Sequence, residues 1–203
     1  MKFKNIFTFV TALTSEYKNI MKKIQHILLC LCAFFLTSCA NHVTSIKKDV
    51  DITLDPVEGY LMMAVDTNYS LEWIKLWGKK NVILTKGDLK SGSNYILVNL
   101  PAGDYRIESI KLGRFTFNDF EKRLWSFSVK KGVISYVGHL EMESKGSYFS
   151  VSSHIQLLNK SSFALEYLED KFPNILNSRQ IQYWGPGEDG FFTTVMTEKE
   201  VLE

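Results

Sequence analysis

Between residues 60 and 155 the chain repeats short apolar segments rich in Val, Ile, Tyr, Phe and Trp, separated by turn residues. Segments of this length and composition predict β-strands. No helical periodicity lies between them, which favours an antiparallel β-sandwich or barrel over alternating strands and helices. The predicted strands cover residues 60–66, 69–77, 81–86, 94–99, 104–112, 125–130, 133–143 and 148–155.

Strict alternation supports the strand predicted over residues 133–143. Its apolar residues share one side of an extended chain: Ile134, Tyr136, Gly138, Leu140 and Met142. Its polar residues share the other side: Ser135, His139, Glu141 and Glu143. Because alternate side chains of a strand point to opposite faces, we expect the first set to pack in the core and the second to face solvent.

The C-terminal part has a different pattern. Ser161 or Ser162 can cap a helix over about residues 161–172. Pro173 ends this helix, because the residue before a proline avoids the α region. The apolar stripe of the helix needs a partner surface and consists of Phe163, Ala164, Tyr167, Leu168 and Phe172. A glycine-rich loop over residues 183–190 follows, and residues 191–196 are predicted as a last strand.

Three segments carry a family resemblance: residues 100–107 (LPAGDYRI), 127–132 (FSVKKG) and 136–138 (YVG). Together they are similar to the recurring pattern of bacterial transthyretin-like and carboxypeptidase-regulatory-like sandwich modules, and the chain also resembles several proteobacterial lipoproteins of unknown function. The match covers about a third of the chain that remains after signal cleavage, and its residues serve turns and cores. The resemblance therefore implies a fold, and it implies no catalytic residue.

The N-terminal part has the form of a secretory signal peptide. Lys22 and Lys23 precede an apolar run over residues 24–36, and small residues precede a cysteine. The run is shorter than the about 20 apolar residues that a membrane-spanning helix needs. It closes on Leu36, Thr37, Ser38 and Cys39, which resemble the lipobox of bacterial lipoproteins. That resemblance implies that Cys39 is diacylated, becomes the N-terminus and holds the protein on a membrane. An ordinary cleavage site before a cysteine is the alternative.

These features divide the chain into four parts. Residues 1–20 are an upstream extension or a mis-assigned start, since Met21 directly precedes the two lysines and translation could begin at either methionine. Residues 21–38 are the signal peptide, residues 39–55 a polar tether, and residues 56–203 the domain with its helix at about 161–172. The predicted fold class is mainly β: an antiparallel β-sandwich with one C-terminal α-helix, preceded by a helical signal peptide.

Signal cleavage changes the charge and the cysteine content. Residues 1–38 contain five of the 24 basic residues and one of the 22 acidic residues, so the mature chain has a net charge of about −2. This balance gives no basic surface for nucleic acid. Cys30 and Cys32 leave with the signal, and Cys39 would carry lipid. No thiol remains for a disulfide or a cysteine metal cluster, so stability must come from a hydrophobic core.

Trp73 and Trp77 form the first candidate ligand site. Together with Tyr69 and Leu71 they would share one side of the strand predicted over residues 69–77, and a flat aromatic strip can stack on sugar rings such as those of peptidoglycan. The alternative is that these large side chains belong to the core or lie under a helix.

The loop over residues 184–190 is the second candidate. Trp184, Glu188 and Asp189 could contact a ligand or a partner. The loop lacks the lysine and the following helix of a phosphate-binding loop, and two carboxylates are too few oxygen ligands for calcium. The alternative is a structural turn before the last strand.

A third pattern places His139, Glu141 and Glu143 on one strand face, where they could bind a metal if His154 joined them across a hairpin. Residues two apart on a strand are separated by about 7 Å, which disfavours convergence on one ion and favours a solvated face. No metal, cofactor or catalytic site is therefore predicted, and no Gly-x-Ser-x-Gly nucleophile motif occurs.

These observations predict a lipoprotein that is not an enzyme and that serves as a binding or accessory module of the cell envelope. Its expected contacts are a membrane, through lipid on Cys39, and an envelope protein. The residue after Cys39 is Ala40, not aspartate, and in a Gram-negative bacterium the resemblance then implies the periplasmic face of the outer membrane. The alternative function is a glycan-binding module or cell-wall hydrolase that uses Trp73, Trp77 and nearby carboxylates.

Overall fold

The computed structural model describes residues 41–202 of the chain. The predicted signal peptide, the lipobox of Leu36, Thr37 and Ser38, and the lipidation site Cys39 lie outside the described residues and stay predictions. Within residues 41–202, no helix is both long enough and apolar enough to cross a membrane.

The described chain contains eleven strands and four helices. The strands are β1 (Asn41–Val43), β2 (Glu58–Thr67), β3 (Trp73–Gly78), β4 (Val82–Thr85), β5 (Gly92–Pro101), β6 (Gly103–Leu112), β7 (Phe115–Phe117), β8 (Ser126–Val129), β9 (Ile134–Gly146), β10 (Val151–Leu158) and β11 (Ile181–Tyr183). The helices are α1 (Lys122–Trp125), α2 (Ser161–Lys171), α3 (Pro173–Ser178) and α4 (Phe191–Leu202), with a 3-10 turn at Lys86–Asp88.

The strands form two sheets. Sheet 1 has the order β1-β4-β3-β6-β7, with β8 also paired to β6. Sheet 2 has the order β10-β9-β2-β5, with β11 also paired to β9. The prediction of a mainly β fold with a C-terminal helix is confirmed.

The prediction of antiparallel sheets is wrong, because both sheets are mixed. β2 runs parallel to β9, β11 parallel to β9, and β1 parallel to β4. The connection between β8 and β9 explains the central parallel pair. β8 ends at the edge of the fold where β2 begins, and the Gly132 amide in the short link donates to the Glu58 carbonyl of β2 at 2.9 Å. β9 therefore starts beside the start of β2 and runs in the same direction.

Strand β2 contributes to two hydrophobic cores. Leu61, Met63 and Val65 belong to the core between the two sheets, and Tyr60 and Met62 belong to a second core between sheet 2 and the helices. All five side chains are fully buried. Successive residues of a strand point to opposite faces, so a strand that is apolar at nearly every position fits only between two apolar layers.

The helices cover the outer face of sheet 2. The side chains that face this second core are Ala164, Leu165, Leu168, Phe172, Ile175 and Phe192. The helix predicted over about residues 161–172 is present as α2, but the serine cap is wrong: Ser161 is its first residue, and the Asn159 side chain accepts the Ser161 amide at 3.1 Å. Phe163, expected in the apolar stripe, is 55% exposed.

The strand predicted over residues 191–196 is wrong, because these residues begin α4. The Thr194 amide donates to the Gly190 carbonyl at 3.0 Å, which is a helical hydrogen bond. Phe192 packs in the helix-side core, with Val195 and Met196 against it. Spacings of three and four place these side chains on one face of a helix, and a run of six residues is too short for periodicity alone to separate the two structures.

A bulge in β9 reverses the alternation of that strand. Met62 of β2 pairs with Tyr136 and Ala64 pairs with His139, so β9 has one extra residue in this interval. Ile134 and Tyr136 therefore face the helix-side core, whereas Leu140 and Met142 face the core between the sheets. The prediction that Ile134 and Tyr136 share one side with Leu140 and Met142 is wrong, because an extra residue shifts every later side chain to the other face.

The segment predicted as a tether contacts both sheets. β1 pairs with β4 of sheet 1. The Ser45 amide donates to Asp88 at 2.8 Å, and the Ser45 hydroxyl accepts an amide of β5 at 3.0 Å. Asp49 accepts hydrogen bonds from two amides at the start of α3, and Asp51 pairs with Arg179 at 2.9 Å. Residues 45–51 thus hydrogen-bond to sheet 2 and the helical layer through short polar side chains.

We predict that Gly138→Ala destabilises the fold by about 2 kcal/mol or more. Gly138 has φ of +122°, and a Cβ there would lie 3.0 Å from the Leu157 side chain and from the Leu158 carbonyl oxygen. Equilibrium urea unfolding measures the change. Gly190→Ala is the matched control, because no heavy atom lies within 4 Å of its Cβ position. Similar losses in both variants would contradict this account of the bulge.

Candidate functional site

Three loops meet at one end of the two sheets. β2, β6 and β9 finish at this end, and β3, β7 and β10 begin there. The β2–β3 loop carries Tyr69, the β6–β7 turn carries Arg114, and the β9–β10 turn carries Tyr148 and Phe149. We call these four residues the aromatic end. The strand predicted over residues 148–155 starts at Val151, so Tyr148 and Phe149 belong to a turn and not to a strand.

The aromatic side chains of this end are unusually exposed. Phe149 is 82% exposed, Tyr148 is 72% exposed and Tyr69 is 50% exposed. The Arg114 guanidinium carbon lies 4.2 Å from the Tyr148 ring centre and 5.9 Å from that of Phe149. The two rings meet edge to face at 5.3 Å. Cation–π and edge-to-face contacts therefore hold these groups together at the surface.

A groove of about 500 Å³ opens among these loops. Its lining is mostly apolar and includes Tyr69, Leu112, Phe115, Tyr148 and Val151. Arg114 is its charged residue, and no carboxylate lines it. Apolar walls with one well-placed charged group are the usual composition of a binding groove.

The aromatic end lies opposite the point where the described chain enters the fold. The Asn41 amide donates to the Asn81 carbonyl at 3.0 Å, in the turn between β3 and β4. That turn adjoins the start of β6, because Gly78 pairs with Tyr105. Arg114 follows the end of β6, so the length of the sheet separates Asn41 from the aromatic end.

The structure separates the four residues of the predicted aromatic strip. Strand β3 begins at Trp73, so Tyr69 lies in the preceding loop and Leu71 is buried in the core. Trp73 and Trp77 do share the outer face of sheet 1, because Ile74 and Leu76 fill the alternate positions toward the core. Trp73 is half-buried. The prediction that Tyr69 and Leu71 share this face with the two tryptophans is wrong, because β3 starts at Trp73, four residues later than predicted.

Trp77 keeps an open side on this outer face. Its side chain is 47% exposed, and the Arg106 guanidinium carbon lies 4.4 Å from its ring centre. Between the two tryptophans, Lys75 is ion-paired with Glu108 at 2.7 Å. The outer face of sheet 1 therefore offers one exposed indole beside a stacked arginine.

Trp184 and Asp189 have separate structural contacts. The Trp184 indole donates to the Gln182 side chain at 3.0 Å, and Lys130 Nζ lies 3.9 Å from its ring centre. Asp189 accepts from the Ser161 hydroxyl and from the Phe191 amide, which joins the starts of α2 and α4. Glu188 is exposed. The loop therefore links a strand to a helix and does not gather these three residues into one site.

The pKa of Asp189 lies below its usual value. Burial alone would raise it, but hydrogen bonds with Ser161, with Asn159 and from the Phe191 amide outweigh that effect. Its carboxylate is therefore charged at neutral pH and serves helix packing. No sequence signal distinguishes such a carboxylate from a ligand-binding one.

The expectation that His139 lies on a solvated face is also wrong, because the bulge directs its side chain toward the helix-side core. His139 is buried, its ring meets Tyr95 edge to face at 5.5 Å, and its Nδ1 lies 3.4 Å from the Tyr136 hydroxyl. Burial, and then the charge of Lys160, lower its pKa. Imidazole is thus held neutral near pH 7.

The neighbouring polar residues make their own contacts. Glu141 is ion-paired with Lys160 and accepts from Gln156 at 2.9 Å, and hydrogen bonds from these two residues lower its pKa. Glu143 and His154 are paired across strands β9 and β10 and exposed. Within residues 41–202, no three histidine, cysteine or acidic side chains come together in a way that could hold a metal ion.

Because His139 is buried, we predict that stability falls as the pH drops from about 7 to 5. The folded-state pKa is lowered, so below the unfolded pKa of about 6.5 the unfolded chain binds a proton that the folded chain refuses. His139→Gln should flatten this part of the profile, and His154→Gln, at an exposed position, should leave it unchanged. Thermal unfolding midpoints across this pH range measure the slope. An equal slope in wild type and His139→Gln would contradict the assignment.

No family model matches the chain, and neither the curated proteins nor the solved structures contain a match. No residue role can therefore be transferred from a relative. The resemblance to transthyretin-like modules and to lipoproteins stays a prediction, and the case for function depends on the geometry of the chain's own residues.

Proposed function

We propose that this protein is a non-catalytic binding module of the bacterial cell envelope, anchored by lipid on Cys39 at the periplasmic face of the outer membrane. The aromatic end is its recognition surface. The observation that carries the proposal is the exposure of Tyr148 and Phe149 beside a stacked arginine.

Exposed aromatic rings at a loop tip do not help the fold. Isolated exposed apolar residues are common in monomers, but a contiguous patch at the rim of a groove marks an interaction surface. Tyrosine, aromatic residues in general and arginine dominate the binding energy of protein interfaces. The surrounding loops also contain several small polar residues, among them Asn68, Ser91, Ser147 and Ser150. This mixture of rigid rings and small polar residues is also typical of antibody binding loops.

The position of the chain entry supports the same function. Asn41, two residues after the proposed lipidation site, lies at the end of the fold opposite the aromatic end. An anchor at Cys39 would therefore be attached to the chain on the side away from Tyr148 and Phe149. A partner in the periplasm can reach them there.

The anchor is tested by metabolic labelling with a fatty-acid probe. Wild type should be labelled and Cys39→Ala should not, because the acyl chain is attached to that sulfur. Labelling of both proteins to the same extent would contradict lipidation at Cys39.

The binding surface is tested separately with the double variant Tyr148→Ser, Phe149→Ser. Chemical cross-linking in intact envelopes should give an adduct with wild type that decreases at least about tenfold in the variant, because the loss of two interface aromatics removes several kcal/mol. Phe163→Ser is the matched control, since Phe163 is 55% exposed on α2 and outside the aromatic end. An equal effect of both substitutions would contradict the proposed surface.

The exposure of Trp77 supports a second candidate function, a glycan-binding module or cell-wall hydrolase. An open indole beside Arg106 can stack on a sugar ring. In a sedimentation assay with insoluble peptidoglycan, Trp77→Ala should lose binding and Trp184→Ala should retain it, because Trp184 is less exposed than Trp77 and its indole N–H already bonds to Gln182. Binding that is insensitive to Trp77→Ala would exclude this use of the sheet face.

A further inference from the structure

We infer that the partner of the aromatic end is a protein whose binding segment carries a carboxylate next to an apolar side chain. Arg114 pairs with the carboxylate, and the groove takes the apolar side chain. The inference rests on the proposed function, because it assumes that the aromatic end is the recognition surface.

Arg114 is arranged to receive an anionic group. Its guanidinium carbon lies 4.2 Å from the Tyr148 ring centre and 5.6 Å from that of Phe115. Cation–π contact with the ring uses none of the guanidinium N–H groups as hydrogen-bond donors to a carboxylate, and these groups match the two oxygens of a carboxylate. Among residues 41–202, none of the ion pairs includes Arg114. The positive charge of the groove is thus without a carboxylate from the described chain.

The groove beside Arg114 is complementary to an apolar side chain. Leu112, Phe115 and Val151 line it together with Tyr148, and its volume of about 500 Å³ exceeds that of a single side chain. An apolar side chain entering it would leave water together with the exposed surface of Tyr148. Burial of that area contributes about 25 cal/mol per Å² to binding.

The shape of this end favours a protein over an anionic membrane. The surface is concave at the groove of about 500 Å³, and a flat bilayer cannot fill it. Anionic lipid would also bind the nearby exposed Lys145, whereas a carboxylate in the groove contacts Arg114.

The ring contacts favour a protein over a glycan. One face of Tyr148 is occupied by the Arg114 guanidinium at 4.2 Å, and the ring also makes an edge-to-face contact with Phe149. Sugar stacking needs a free, flat ring face. The other candidate for sugar stacking, Trp77, lies toward the far end of β3 from this surface.

Site-specific photo-cross-linking in intact cells tests the inference. The full chain carries p-benzoylphenylalanine in place of Phe149, and a matched protein carries it in place of Phe163. The expected result is a protein adduct at position 149 that is absent at position 163. Mass spectrometry of the adduct should map to a segment with Asp or Glu within a few residues of an apolar side chain.

The role of Arg114 is tested in the same cross-linking protein. Arg114→Gln should lower the yield about tenfold, because a charge-assisted pair is lost. Lys145→Gln removes a neighbouring exposed charge that does not line the groove, and it should have little effect. Exchange of the mapped acidic residue for lysine should also lower the yield, and Arg114→Glu should then restore it.

The outcomes separate the inference from the proposed function. A lipid or glycan adduct at position 149, or a protein adduct that Arg114→Gln leaves unchanged, would overturn the inference and leave the recognition surface in place. The absence of any adduct at position 149, in a protein whose protease resistance equals that of wild type, would overturn both.

Discussion

The parallel pairing of β2 with β9 is the constraint on which the rest of the structure depends. β2 lies between β5 and β9 in sheet 2, and its apolar side chains enter both hydrophobic cores. Sheet 1 packs against one face of β2 and the helices pack against the other, so both layers need this strand in place. The close approach at Gly59, where a Cβ would lie 1.8 Å from the Lys130 carbonyl oxygen, lets the link before β9 cross the start of β2. A side chain there would separate the two strands.

The bulge at Gly138 gives β9 two different environments along its length. Before the bulge, Tyr136 faces the helices, and after it His139 faces them while Leu140 faces sheet 1. β9 also changes partners on its outer side, from β11 at its start to β10 along the rest. The extra residue thus lets one long strand serve a three-layer fold whose helices cover only part of the sheet.

The aromatic end follows from this architecture. Because both cores lie along the strands, the loops beyond the strand ends contribute little to them and can carry exposed side chains such as Tyr148 and Phe149 at small cost to stability. Arg114 then holds the rings in place by stacking rather than by burial. Residues 45–51 bond to Asp88, β5, α3 and Arg179, and none of them lines the groove.

The sequence by itself determined the local structure: the strand segments, helix α2 and its end before Pro173, since these depend on side-chain periodicity and backbone restriction within a few residues. Only the tertiary structure decided the parallel pairing of β2 and β9, the reversal at Gly138 and the helical state of Phe191–Leu202. Each depends on which distant surface receives the apolar side chains, and a one-residue bulge leaves almost no mark on hydrophobic alternation. Distant pairing also explains why the aromatic strip predicted around Trp73 and Trp77 was not found and why the aromatic end was not predicted. Tyr148 is exposed because β10 starts only at Val151, and Leu71 is buried in the loop before β3. The positions of these strand ends depend on pairing with distant strands.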